Sequence, residues 1–221
     1  MAIHLQFGPV FAHLDLLWWG LSQTLLFAVL SVIFGTAIGI VGAAGRSLGV
    51  RWLSLLIGAY VEVVRNTPLL IQLYIVFFSL PLIGLKFSPA VSAVTALSVH
   101  LGAYATEIFR AGLESVPPGQ IEAAKALGLS RYRIMRHVVL MPAVRAVYPA
   151  LSAQFVLQLM GTSLIGAIAA EELTSVANNL LMQTFRSFEI YIVVAVIYFV
   201  TVQAASLLLA GFGHLLFRWK Q

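Results

Sequence analysis

The sequence predicts an all-α, membrane-spanning fold with five transmembrane helices, and three observations carry that prediction. First, hydrophobic residues make up 61% of the 221 positions and charged residues only 10%, against about 25% charged in a soluble globular domain. Second, five stretches hold no Asp, Glu, Lys or Arg: residues 16–45, 66–85, 87–106, 146–170 and 190–217. Each reaches the ~20 helical residues that a bilayer core requires, and one charge at a span centre costs roughly 3 kcal/mol on insertion scales. Third, the basic residues are unevenly placed. Arg46, Arg51 and Arg65 separate the first two runs; Arg110, Lys125, Arg131, Arg133, Arg136 and Arg145 separate the third and fourth; Arg218 and Lys220 follow the fifth. If the helices alternate, these eleven share one side and only Lys86 and Arg186 fall on the other. The positive-inside rule then puts the N-terminus outside and the C-terminus in the cytoplasm. The net charge of +5 reads as this loop bias rather than as a nucleic-acid surface. With no cysteine, disulfides and thiolate metal sites are excluded.

Residues 1–15 read as a short outer segment, with Trp18 and Trp19 placed for the headgroup level. The first run is too long for a signal-peptide core and no basic segment precedes it, so it is expected to be retained. The spacing Gly35-x-x-x-Gly39 either lets another backbone approach or reflects how common glycine is in membrane helices. Residues 49–65 are mixed and suit an interfacial piece. Asn66-Thr67-Pro68 reads as a helix start with Thr67 as N-cap and Pro68 in the first turn; the alternative is one long helix bent near Pro68. Pro81 and Gly84 suit the outer end of the second helix. The third helix is placed at about residues 88–110. On it Tyr104, Glu107 and Arg110 share a face, and Tyr60, Glu62 and Arg65 repeat the Glu-x-x-Arg spacing. Both pairs read as local ion pairs at helix ends or as contacts that pass motion between helices. The fourth helix is expected to begin near Tyr148-Pro149 and carries a polar stripe, Gln154, Gln158 and Thr162 with Ser163 beside it. The stripe either hydrogen-bonds neighbouring helices or lines a path for a polar solute. Residues 171–189 form the outer connection, long enough for a short surface helix. The fifth helix runs over about residues 190–216 with Gln203 in its middle, and Arg218 and Lys220 stop it.

Residues 117–142 are the only long hydrophilic segment. Pro117-Pro118-Gly119 breaks any continuation of the third helix. A new helix starts near Gln120, with Glu122 favourable at its positive end. Ala123 and Ala124 keep its surface low, so another protein's backbone could approach. Gly128 ends this helix or turns it sharply, and Ser130 suits the cap of a second one bearing Arg131, Arg133 and Arg136. Something outside the lipid must need this segment, and a handle for a separate motor fits; a solvated loop whose arginines touch anionic lipid is the plainer reading. Chemistry within the chain is not indicated. There is no P-loop and no His-Glu-x-x-His. Gly161-Thr162-Ser163-Leu164-Ile165 fails the Gly-x-Ser-x-Gly pattern at its last position. His4, His13, His100, His137 and His214 are scattered, and His100, the one inside a span, reads as a hydrogen-bonded packing residue.

Glu122-Ala123-Ala124, then Gly128, then Val138-x-Leu140 resembles the EAA loop of ABC importer permeases. Met141 stands where that family usually has proline, and Pro142 follows. Tyr60-Val-Glu62-Val-Val-Arg65-Asn-Thr-Pro68, Tyr104-Ala-Thr-Glu107-Ile-Phe-Arg110, Pro118-Gly119-Gln120 and Thr162-Ser163-Leu164 followed by Glu172-Leu173 are similar to further segments of its polar amino acid branch. Together they span residues 20–175. Met160 departs from a lysine common in that branch. The resemblance implies a single type I importer domain over residues 1–221, in a bacterial inner membrane. It also implies a partner permease, identical or paralogous, a cytoplasmic ATPase dimer that binds ATP and magnesium, and an outer solute-binding protein. No cofactor or metal is expected on this chain. The ATPase would seat on Glu122, Ala123, Ala124, Gly128, Arg131 and Arg133, and an amino acid or related solute would pass Gln154, Gln158, Thr162 and Ser163. A motor-independent channel or secondary carrier is the alternative.

Overall fold

The structure, a computed structural model, describes residues 5–217, and every element among them is helical. A short helix α1 (Gly8–Phe11) leads into the long α2 (Leu14–Ser47). Helix α3 (Arg51–Arg65) bends by 109° into α4 (Leu69–Tyr74), which continues through a π-turn (Ile75–Ser79) and a 3-10 turn (Leu80–Ile83). Then come α5 (Pro89–Glu114) and α6 (Pro118–Ala126). Helix α7 (Arg131–Arg133) runs through a π-turn (Ile134–Leu140) into α8 (Met141–Gly161), which ends in a 3-10 segment (Thr162–Ile168). Helices α9 (Leu173–Thr184) and α10 (Ser187–Leu216) complete the chain. Arg218 and Lys220 lie outside the described residues.

Three continuous helical stretches are long and apolar enough to cross a membrane: Leu14–Ser47, Arg131–Ile168 and Ser187–Leu216. The bent α3–α4 pair raises the number to four. The remaining expected span is α5, whose 26 residues correspond to ~39 Å at helical rise. Its Ala, Ser, Thr and Gly content lowers its hydropathy for a physical reason: α5 is the centre of the packing. Ser92, Ala93, Ala96, Leu97, Leu101 and Ala105 are all buried there. Small residues let α2 lie almost backbone to backbone against it. A methyl group at Gly35 would stand 2.7 Å from the Leu101 Cβ, and methyl groups at Gly39 and Gly42 would run into Ala105 and Thr106. The Gly-x-x-x-Gly spacing is thus a helix–helix contact.

Several local expectations are corrected. Pro68 is the N-cap of α4 rather than its first residue, and the Thr67 hydroxyl donates back to the Val63 carbonyl at 2.7 Å instead of capping. The structure has the helix restart and not one long bent helix: α3 ends at Arg65 and α4 begins at Leu69 after a turn of 109°. Gln72 bridges it, with Nε2 donating to the Val64 and Thr67 carbonyls, both at 2.8 Å. Its Oε1 faces His100 Nδ1 at 3.3 Å. The fourth long helix does not begin at Tyr148. It starts at Met141 and is continuous with the basic α7, and Pro149 lies inside it. Pro142 stands just past the π-turn Ile134–Leu140 in this continuous run, where the helical hydrogen-bond ladder already shifts register. Finally, α9 is the short helix expected at the surface, with Asn178, Asn179, Met182 and Gln183 exposed, but its other face is part of the core. Leu173, Val176, Ala177 and Leu180 are buried with Leu17 of α2 and Ile190 and Val194 of α10.

Candidate functional site

The hydrophilic segment forms an elbow between α5 and α8. Pro118 occupies the first turn of α6 with Pro117 as its N-cap, so α5 cannot run on. Gly128 closes α6 at φ +73, a left-handed geometry that glycine alone adopts without strain. Its N–H donates to the Lys125 carbonyl at 2.9 Å and the Leu129 N–H to the Ala124 carbonyl at 3.2 Å. That bond pair is a Schellman cap, and Leu129 packs onto the cluster that holds Ala124. Ser130 stands at the N-cap position of α7 but makes no side-chain cap bond.

Helix α6 has two faces, and they separate the alanines. Ala124 is 5% exposed and packs with Val116, Ile134, Val139 and Ala143. This overturns the reading of Ala124 as a surface left low for another protein: it is small because the π-turn at the base of α8 lies against it. Ala123 is exposed, together with Glu122, Lys125 and Leu127, the last at 79%. Arg131 and Arg133 are exposed as well. Among the described residues none of Glu122, Lys125, Arg131 and Arg133 joins an ion pair. Arg136 donates to the Tyr132 hydroxyl at 3.0 Å. The elbow therefore presents a polar outer face on an inner face locked to α8.

At the end of α5 next to the elbow lies a charge network. Arg110 donates through Nε and Nη2 to Glu107 Oε2, at 3.0 and 2.8 Å. Arg46 of α2 bonds the other Glu107 oxygen, and Arg110 Nη1 reaches Glu114 at 2.5 Å. Glu107 ties two helices where sequence spacing indicated one local pair. Glu114 stands one turn beyond Arg110 and was open to detection; Arg46 is 61 residues from Glu107, and no local rule reaches it. The other expected pair does not form. Glu62 and Arg65 are exposed and join no ion pair among the described residues; the Arg65 guanidinium lies 5.2 Å from the Tyr104 ring centroid. The ring offers a cation a favourable face without desolvating a carboxylate.

The polar stripe of α8 splits too. Gln158 is buried and its Nε2 donates to the Leu97 carbonyl of α5 at 2.7 Å. Thr162 is buried and donates to the Leu159 carbonyl, and Gln154 is buried beside them. Ser163 is half-buried, bonds the Met160 carbonyl at 2.8 Å, and lines a cavity of about 250 Å³ with Met160, Tyr198, Phe199 and Val202.

One polar centre escaped sequence reasoning. Glu172 is fully enclosed. Its carboxylate accepts from the Tyr198 hydroxyl at 2.7 Å, the Ser175 N–H at 2.9 Å and the Thr24 hydroxyl at 3.2 Å, joining α2, α9 and α10. The Ser175 hydroxyl in turn lies 2.7 Å from the Glu172 N–H, completing a capping box. The Glu-x-x-Ser spacing was the available signal. No group of His, Asp and Glu suited to a metal ion occurs among the described residues.

Residues 31–216 match the family described as binding-protein-dependent transport system inner membrane component. The chain is similar to the glutamine transport system permease protein GlnP of Escherichia coli strain K12, at 32% identity over 207 residues covering 92% of this chain and 94% of that protein. It is similar to the L-cystine transport system permease protein TcyB of Bacillus subtilis strain 168, at 37% identity over 182 residues covering 82% and 78%. Among solved structures it resembles a chain of an amino acid ABC transporter with histidines, with a TM-score of 0.89 and 33% identity over 96% of this chain and 99% of that one.

Proposed function

We propose that this chain, which belongs to the binding-protein-dependent transport system inner membrane component family, is the pore-forming subunit of an ATP-driven importer of an amino acid or related polar solute. The family is one of permease subunits, so the chain performs transport and not chemistry. Its partners in this reading are a cytoplasmic ATPase dimer carrying ATP and magnesium, a second permease subunit, an outer solute-binding protein and the bilayer of a bacterial inner membrane. Residues 1–221 act as one domain. Five spans, with α5 the enclosed third, and a cytoplasmic elbow accord with the distribution of basic residues.

The observation that carries the mechanism is the two-faced α6. Glu122, Ala123, Lys125 and Leu127 form a free outer face for a groove in the ATPase, and Arg131 and Arg133 flank it with unpaired positive charge. Ala124 transmits rather than touches. Its packing on Ile134, Val139 and Ala143 joins α6 to the base of α8, so a pull on α6 moves α8 as a rod. Gly128 keeps that junction short. A motor drives such a change only by binding one state better than the other, and a rigid lever gives its contact that difference. The Glu107 network keeps α2 and α5 together as the lever moves. In the solute path we place the Ser163 side of the stripe; Gln154, Gln158 and Thr162 hold α8 against α5.

The test is purification of the complex from membranes in mild detergent with Ala123→Arg. The expected result is a variant that inserts normally, loses the ATPase on purification and fails to take up solute in vesicles. Retention of both the ATPase and uptake would refute the reading.

A further inference from the structure

The last helix leaves most of its length uncovered by its own chain. On α10 the only buried residues are Glu189, Ile190 and Val194, all in its first eight positions. Beyond them a groove of about 520 Å³ opens between α10 and α8, a size within the roughly 300–1,000 Å³ of small-molecule sites. Its two ends differ. The end near α6 holds Arg145, one turn into α8, and His214, in the last turn of α10. Away from it the walls are Ala153, Val156 and Leu209. Tyr148 pins the helices together between these ends, donating to the Leu209 carbonyl at 2.6 Å and lying edge-on to Phe217.

One polar group on the wall, the buried Ser152 hydroxyl, has no partner among the described residues. Arg145 is exposed and joins no ion pair among the described residues. A cationic head and an apolar tail in one groove match an amphiphile of opposite charge. A second copy of the chain at the same face is the other occupant, and a cysteine cross-link between copies distinguishes it.

We propose that this groove holds one anionic phospholipid from the leaflet on the α6 side. The phosphate sits on Arg145 with His214 beside it, and an acyl chain lies along Ala153, Val156 and Leu209. Basic pockets between transmembrane helices bind anionic headgroups in this way. The lipid covers α10 and holds α8, the lever arm, against it. The proposal is independent of the transport reading, because lipid retention is measured without motor or solute.

The experiment is native mass spectrometry of the detergent-purified complex after incubation with equal phosphatidylglycerol and phosphatidylcholine. The expected result is preferential retention of phosphatidylglycerol. Arg145→Gln lowers it about five-fold, the equivalent of the roughly 1 kcal/mol that one basic side chain contributes near an anionic surface. His214→Gln lowers it less, and Arg145→Lys restores most of it. Equal retention of the two lipids, or retention unchanged in Arg145→Gln, would overturn the proposal. So would a disulfide between two copies carrying Ser206→Cys, which would show protein in the groove.

Discussion

At the α9 end of the molecule one carboxylate, Glu172, is fully enclosed and takes all its hydrogen bonds from Thr24, Ser175 and Tyr198 of the same chain. At the α6 end Glu122, Lys125, Arg131 and Arg133 are exposed and unpaired among the described residues. A buried ionisable group without full satisfaction costs several kcal/mol, so the chain had to complete the Glu172 site itself. Exposed charge carries no such obligation and stays available to a partner. Self-satisfied polarity thus marks where this subunit is finished, and unsatisfied polarity leaves the α6 end open to the partner proposed for it.

The strongest way to break this contrast is Glu172→Leu. It strands the Thr24 hydroxyl and the Ser175 N–H, while the Tyr198 hydroxyl keeps Thr174 at 3.0 Å, and a loss of about 2 kcal/mol or more follows at ~1 kcal/mol or more for each orphaned donor. Thermal unfolding in detergent reads it, and an unchanged midpoint would show that Glu172 is no anchor. Next comes the pair of alanines. Ala124→Leu overpacks the contact with Ile134 and Val139 and is expected to lower stability by about 2 kcal/mol. Ala123→Leu should leave stability within about 0.5 kcal/mol yet displace the ATPase on co-purification. Equal unfolding midpoints for the two variants would erase the distinction between inner and outer faces. Gly128→Ala forces a side chain into the left-handed region and is expected to cost about 1 kcal/mol, with fewer solute molecules moved per ATP hydrolysed in vesicles. The smallest effect on stability belongs to the double variant Arg131→Gln with Arg133→Gln. Its unfolding should match the parent, and its ATPase association should weaken most at low salt, where exposed charges are least screened.

Much of this organisation was legible in the sequence, and the legible parts are local. Charge-free runs located the apolar helices. Pro117-Pro118-Gly119 and Gly128 located the elbow, because they act on their own backbone. The Glu107–Arg110 spacing brought those two side chains within reach. The same local rules misplaced the start of α8, since Pro149 looked like a boundary and is tolerated inside a helix held by Gln158 and Tyr148 on either side. They also paired Glu62 with Arg65, when the Tyr104 ring, 39 residues from Arg65, was the better neighbour.

By itself the sequence determined that this chain is built of apolar helices suited to lipid, that Pro117-Pro118-Gly119 and Gly128 break them at the elbow, and that the basic residues cluster between particular runs, since hydropathy, proline and glycine exert their effects within a turn or two. Only the tertiary structure decided that Ala124 faces inward while Ala123 faces out, that Arg46 joins Glu107, and that Glu172 is enclosed by Thr24 from 148 residues away. Those outcomes depend on which helix face meets which. That is settled by close packing of α2 on α5 and of α6 on the base of α8, and no single segment encodes it alone.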